Sequence, residues 1–223
     1  MNTMKRMILG NKGFIALMLG MLFFRSAIAD WYVVPSSSMY PTLVIGDHVY
    51  ADRLAYDFKL PFTDLVLMHH ADPMRGDIVT FTSPADGKRL VKRLVAVPGD
   101  VVEMRDGKLV INHVALTYQA VRSPVPLTPD YSGLQIVLNE NLPDRQHNII
   151  QMPERRSIRS FGPVTVPENQ FLMLGDNRDF SADSRYIGFV KRELITGQVT
   201  RVLYSLDAEH YYLPRLDRLA KAL

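Results

Sequence analysis

Residues 89–116 read RLVKRLVAVPGDVVEMRDGKLVINHVAL. Val, Leu and Ile recur through the stretch, broken at Pro98-Gly99-Asp100 and again at Asp106-Gly107. Pro-Gly-Asp is a turn signal, and Asp-Gly between apolar runs is a hairpin signal. The stretch therefore reads as strand, turn, strand, hairpin, strand. Working outward, TLVIGDHVYADRL (42–54) is apolar and β-branched around Gly46-Asp47, and RGDIVTFTSP (75–84) runs from a turn into a strand. VTVPENQFLMLGDN (164–177) and ITGQVTRVLYSL (195–206) add two more strands. No long helical period lies between them, which predicts a mainly β body built of antiparallel sheets from residue 31 to residue 223. Residues 117–162 are less regular. Four prolines fall in SPVPLTPDYSGLQIVLNENLP (123–143), and PERRSIRS (153–160) is basic, so this part reads as an inserted, β-rich excursion. Within the C-terminal tail 207–223, YYLPRLDRLAKAL (211–223) is expected to form a short amphipathic helix with Leu216, Leu219 and Leu223 on one face.

A chain of 223 residues with 47% hydrophobic and 22% charged residues is that of an ordinary folded protein. A net charge of +3, with no basic stripe or interleaved aromatics, gives no case for nucleic acid. The chain has no cysteine, which excludes disulfides, cysteine nucleophiles and thiolate metal sites. The six histidines are scattered, and the adjacent pair His69-His70 lacks metal-ligand spacing, so it reads as a solvated loop. No metal or other cofactor is expected, and nothing points to an obligate oligomer.

The first thirty residues stand apart. Lys5, Arg6 and Lys12 precede the apolar run GFIALMLGMLFF (13–24), and Arg25 follows it. A basic flank keeps the N-terminus cytoplasmic. Two readings compete. The twelve-residue run suits a signal peptide, with Ala27-Ile28-Ala29 as a small-x-small cleavage site. The stretch from Met7 to Ala29 also has the length of a single transmembrane helix, with Trp31 and Tyr32 at the outer interface. The anchor is the favoured reading.

Three further stretches are dense in chemistry. VVPSSSMYPTL (33–43) sets three serines between Pro35 and Pro41, which bar a long helix. Alone, it reads most simply as a polar turn. Lys92 and Arg93 lie inside an apolar strand, so one of the two is expected to face inward. A desolvated lysine loses its proton more easily and can serve as a base for a serine hydroxyl. GDNRDFSADSRYIGFV (175–190) supplies carboxylates, amides and guanidinium groups able to hold such a pair in place.

PSSSMYPTL, RGDIVTF, LVKRLVAVPGD and GDNRDFSADSRYIG, in this order after an N-terminal apolar segment, closely resemble the bacterial type I signal peptidases. The resemblance extends from about Trp31 to Leu206 and is weakest between Thr117 and Gly162. It implies a membrane-anchored serine protease with a Ser–Lys dyad and its catalytic domain outside the cytoplasmic membrane. By match to the family's motifs, Ser38 resembles the nucleophile and Lys92 the general base. Ser36 matches the side-chain donor to the oxyanion, beside the backbone N–H of Ser38. Ser181 matches the hydroxyl that orients the lysine, Asp183 and Arg185 the supporting ion pair, and Val34 and Val91 the walls of the small-residue pockets. The implied partners are preproteins carrying signal peptides, and membrane lipid. Ser37 departs from the pattern, where the family often has glycine. A peptidase dedicated to a pilin or conjugation precursor would carry the same dyad. A membrane-anchored domain that binds preproteins without cutting them is the rival from outside the enzymes, and a Ser–His–Asp triad through His48 or His113 has no supporting motif.

Overall fold

The computed structural model describes residues 11–63 and 65–223. Every strand pairing in it is antiparallel. The main sheet runs in the order β1 (Ala29–Val33), β2 (Asp47–Asp52), β16 (Ile195–Asp207), β5 (Ile78–Thr82), β6 (Arg89–Ala96), β14 (Gln170–Leu174) and β15 (Val190–Lys191). A second sheet joins β13 (Phe161–Thr165), β7 (Val101–Arg105), β8 (Lys108–Ile111) and β9 (Val114–Ala115). A third joins β10 (Thr117–Ala120), β11 (Ile136–Asn141) and β12 (Gln146–Gln151). The hairpin of β3 (Asp57–Lys59) and β4 (Val66–His69) stands by itself, and β17 (Leu213–Pro214) lies on β16.

Local chemistry accounts for these elements. Asp106 and Gly107 both have positive φ (46° and 78°), as the tight turn between β7 and β8 requires, and Arg105 pairs with Lys108 across it. Strand β16 is 13 residues long and bends at irregularities between Val199 and Arg201 and between Val202 and Tyr204, so it pairs with β2 along most of its length and with β5 near its start. Gly46 has φ +91°, and a Cβ there would lie 2.1 Å from Leu206 O, so the turn before β2 accepts only glycine.

Strand β6 is covered on both faces. Leu94 packs with Val79, Phe81 and Met173, while Val95 packs with Val102 and Leu109. Lys92 and Arg93 are consequently both buried, which corrects the expectation that only one of them would be.

Two further expectations are corrected. The tail forms no α-helix. Arg215 N–H donates to Ser205 O, Ala220 N–H to Leu203 O, and Val202 N–H to Lys221 O, so the tail's backbone bonds along β16 and makes only one 3-10 turn of its own, Leu216–Arg218. Leu216 and Leu219 are exposed, and the tail is pinned by buried Arg218, whose Nε donates to Asp47 Oδ1 at 2.8 Å. His69 ends β4, with Nδ1 2.7 Å from Asp57 Oδ1, and is not part of a loop.

Near the N-terminus, helix α1 covers Lys12–Ala27, 16 residues. Met7 to Gly10, the first part of the expected anchor, lie outside the described residues. Among the described residues no helix is long and apolar enough to cross a membrane. Ala29 and Asp30 pair with Asp52 and Ala51, so the Ala29–Asp30 bond lies inside a paired strand.

Candidate active site

Between Pro35 and Pro41 the serine run folds into a single 3-10 turn, Ser37–Met39, preceded by extended Ser36 (φ −139°, ψ 159°). The loop after β14 holds this turn from behind. Asn177 N–H donates to Ser38 O at 3.1 Å, and Asn177 Nδ2 donates to Ser37 O at 3.0 Å. Gly175 passes so close that a Cβ would lie 2.5 Å from Ser38 O and 2.3 Å from Ser181 Oγ, so no larger residue fits beneath the turn.

Lys92 reaches the turn from the middle of β6. Its Nζ lies 2.7 Å from Ser38 Oγ and donates to Val91 O at 3.0 Å. The side chain is 3% exposed. Burial disfavours the ammonium and brings the pKa down from 10.5 to about 8, against the opposing pull of the Asp183 and Asp176 carboxylates. Nearer neutrality, a usable fraction of Lys92 is thus an uncharged amine held against a hydroxyl. Among the described residues no histidine hydrogen-bonds to Ser38, and His48 is stacked on Tyr204, ring centroids 4.1 Å apart.

The remaining residues singled out from the sequence fall around this pair. Ser36 Oγ is exposed and 3.4 Å from Ser38 Oγ. Asp183 caps helix α2 (Ser184–Ile187) and receives Arg185 Nε and Nη2, both at 2.8 Å, while its Oδ2 accepts Gly175 N–H at 3.0 Å. The ion pair therefore fixes the glycine that underlies the Ser37–Met39 turn. Ser181 differs from expectation. Among the described residues its Oγ, buried beside Gly175, has no hydrogen-bond partner, and the Lys92 amine bonds to Ser38 Oγ and Val91 O instead.

A cavity of 180 Å³ opens in front of the pair, lined on one side by Tyr32, Val33 and Val34 and on the other by Arg89, Leu90 and Val91. Among the described residues β1 has a strand partner on one edge only, β2, and β14 covers β6 only from Arg93 onward. Two free strand edges therefore border the cavity. Its floor is Met39, Leu43 and Val49, all buried.

The family model described as signal peptidase, peptidase S26, matches residues 6–204. The signal peptidase I of Pseudomonas fluorescens is 31% identical over 221 residues, which cover 93% of this chain and 76% of that protein. This chain belongs to the peptidase S26 signal peptidase family. The signal peptidase I of Aquifex aeolicus (strain VF5) is 29% identical over 219 residues, 85% of this chain and 81% of that protein. The crystal structure of a signal peptidase I from Enterococcus faecalis V583 shares 32% identity over 58% of this chain and 98% of that chain, with a TM-score of 0.36.

Around the pair, this S26 chain has supports that the sequence did not reveal. Arg93 Nε and Nη2 bind the two oxygens of Asp176 at 2.8 and 2.7 Å, and Thr42 Oγ1 donates to the same carboxylate. Burial alone would raise the Asp176 pKa, but Arg93 outweighs it and the net shift is downward. Glu140 of β11 is buried against Arg178 and accepts Tyr118 Oη–H at 2.6 Å, tying the third sheet to the loop after β14. The basic run 153–160 serves the same loop: Arg159 Nη1 donates to Asp179 Oδ2 at 2.9 Å, Arg155 Nε to Asp179 O at 2.9 Å, and Arg155 stacks on Phe180. A pairing signal for these contacts exists only in the excess of opposite charges, which does not say which residues meet.

Proposed function

We propose that this protein is a membrane-tethered serine endopeptidase that removes N-terminal signal peptides from preproteins, with Ser38 as nucleophile and neutral Lys92 as general base. The observation that carries this reading is the 2.7 Å contact between Lys92 Nζ and Ser38 Oγ at the mouth of a strand-edged groove. With Lys92 uncharged, the Ser38 hydroxyl donates its hydrogen to the amine. Its oxygen attacks the scissile carbonyl carbon as Nζ takes the proton. The C–O bond forms, and the negative oxygen is met by Ser36 Oγ–H and the Ser38 backbone N–H. Collapse breaks the C–N bond, and the Lys92 ammonium returns the proton to the leaving amine. Water, deprotonated by the same amine, then hydrolyses the acyl-serine ester and regenerates the hydroxyl.

The residues before the cut would lie as an added strand between the free edges of β1 and β6, with backbone hydrogen bonds on both sides. Val34 and Val91 then wall the pockets that receive side chains of the first and third residues before the cut. With Met39 and Leu43 beneath, these pockets suit alanine-sized groups.

The tether is read from two apolar surfaces. Phe14, Leu17 and Leu22 of α1 are exposed, as are Phe58, Phe62, Leu65, Leu67 and Met68 of the β3–β4 hairpin. Phe62 N–H donates to Ser26 Oγ, which ties the hairpin to the end of α1. A contiguous apolar surface of this kind fits a lipid interface, with the N-terminus cytoplasmic and the catalytic body on the outer side.

The test is incubation of the detergent-solubilised protein with one general preprotein and one pilin precursor, followed by N-terminal sequencing of the products. Cutting of the general preprotein after a small-x-small site supports the reading. Cutting of the pilin precursor alone assigns a dedicated processing enzyme, and cutting of neither overturns the assignment.

A further inference from the structure

The turn that carries Ser38 is anchored to the least regular part of the chain. Asn177 is fully buried, and its Nδ2 makes two donations: one to Ser37 O at 3.0 Å and one to Thr128 Oγ1 at 2.7 Å. Among the described residues its Oδ1 has no hydrogen-bond partner. The amide is therefore held by its nitrogen alone, stretched between the nucleophile turn and a threonine of the excursion. Thr128 is itself fixed. It is 2% exposed, lies between Pro126 and Pro129, and is clamped by the Gln135 side chain, which accepts Thr128 N–H at 2.9 Å and donates to Thr128 O at 3.0 Å and to Tyr131 O at 3.1 Å.

The acceptor of the first donation has a particular significance. Ser37 C=O and Ser38 N–H are the two ends of one planar peptide group, and in a trans peptide they point in opposite directions. Fixing Ser37 O fixes the direction of Ser38 N–H, the backbone donor for the oxyanion. A hydrogen bond at the carbonyl end also polarises the amide and strengthens the N–H at the other end. Tyr40 N–H shares Ser37 O at 3.1 Å, but it belongs to the same turn and cannot tie that turn to the body of the protein.

We propose that Thr128, acting through Asn177, is a positioning residue that aims the Ser38 backbone N–H at the developing oxyanion. The inference rests on the proposed role of Ser38 and deepens it. The excursion thereby takes part in the reaction without touching substrate, and the loop 128–135 controls turnover more than affinity.

The test is preprotein cleavage by Thr128→Val, which keeps the shape and removes the acceptor, and by Thr128→Ser, which keeps the hydroxyl. Because the oxyanion exists only during reaction, Thr128→Val is expected to lower kcat about tenfold, the scale of one lost neutral hydrogen bond, with KM within twofold of wild type. The pH midpoint should stay where wild type has it, because the Lys92 surroundings are untouched. Thr128→Ser should restore most of the turnover. The proposal is overturned if Thr128→Val lowers the melting temperature yet keeps kcat within twofold, if KM alone changes, or if Thr128→Ser is as slow as Thr128→Val. Should Thr128→Val fail to fold, Gln135→Ala releases the clamp from a partly exposed position. A lower kcat at unchanged KM supports the proposal there, and an unchanged kcat overturns it. A wild-type protein that cuts no preprotein would remove the proposed function and this inference together. A wild type that cuts, with Thr128→Val its equal, removes only this one.

Discussion

The most quantitative consequence concerns the protonation of Lys92, and the perturbation is pH alone. A lysine at its ordinary value of 10.5 is neutral at pH 7 in about one molecule in three thousand, whereas at about 8 it is neutral in about one in eleven. Burial of the amine therefore enlarges the population of competent base about three-hundredfold at pH 7. Raising the pH removes the proton, so activity must rise with pH, about tenfold per unit well below the midpoint, and level off above about 8. The assay is the initial rate of cleavage of an internally quenched peptide with alanine at the first and third positions before the cut. It is run in detergent from pH 5.5 to 10, at substrate concentrations far below KM so that the free enzyme is reported. A midpoint near 6.5, the range of an ordinary histidine, would refute the reasoning, and so would a midpoint above 10 or a flat profile.

The same shift has a cost in stability. The unfolded lysine binds its proton up to pH 10.5 and the folded one only up to about 8, so stability rises with pH between these values and Lys92 destabilises the fold below them. Lys92→Met should accordingly be inactive yet unfold at higher denaturant at pH 7, by at most about 3 kcal/mol, and a less stable variant would contradict the buried-amine account. Ser36→Ala should lower turnover on the order of a hundredfold with little change in KM, read from steady-state kinetics; an unaffected kcat would move the oxyanion donor elsewhere. Arg93→Met leaves the Asp176 carboxylate buried without its bidentate partner and should cost about 3–5 kcal/mol in chemical denaturation, with much of the loss recovered in Arg93→Met/Asp176→Leu. Equal stability of the single and double variants would show that the pair is not the unit that matters.

The sequence revealed those features that lie within one local pattern. The Asp106-Gly107 hairpin, the turn at Gly46 and the strands of 89–116 are visible because turn chemistry and β-branched runs are contiguous. Ser38 and Lys92 are visible because each sits in a motif of its own, and strand β6 then brings them together across 54 residues. The supports were hidden for the converse reason. Arg93 meets Asp176 across 83 residues, Arg178 meets Glu140 across 38, and Asn177 meets Ser37 across 140. Nothing in the local order of residues encodes such a pairing. The tail misled because Leu216, Leu219 and Leu223 have helical spacing, whereas backbone bonds to β16 and the buried Arg218–Asp47 pair draw the chain along the sheet edge. The β3–β4 hairpin gave no signal, because β3 is only three residues long and the apolar run Val66-Leu67-Met68 of β4 does not alternate with polar residues.

The central claim is that Ser38 attacks the scissile carbonyl and that Lys92 makes the attack possible. It is tested most directly by mixing the protein with an activated peptidyl ester ending in alanine, quenching in acid within one turnover, and locating the acyl mass by peptide mapping. The account predicts one acyl group on the peptide that contains Ser38 in the wild type, and none in Ser38→Ala or Lys92→Arg, with both variants folded. Acyl transfer to Ser36, Ser37 or Ser181, or undiminished acylation of Ser38 in Lys92→Arg, would contradict it.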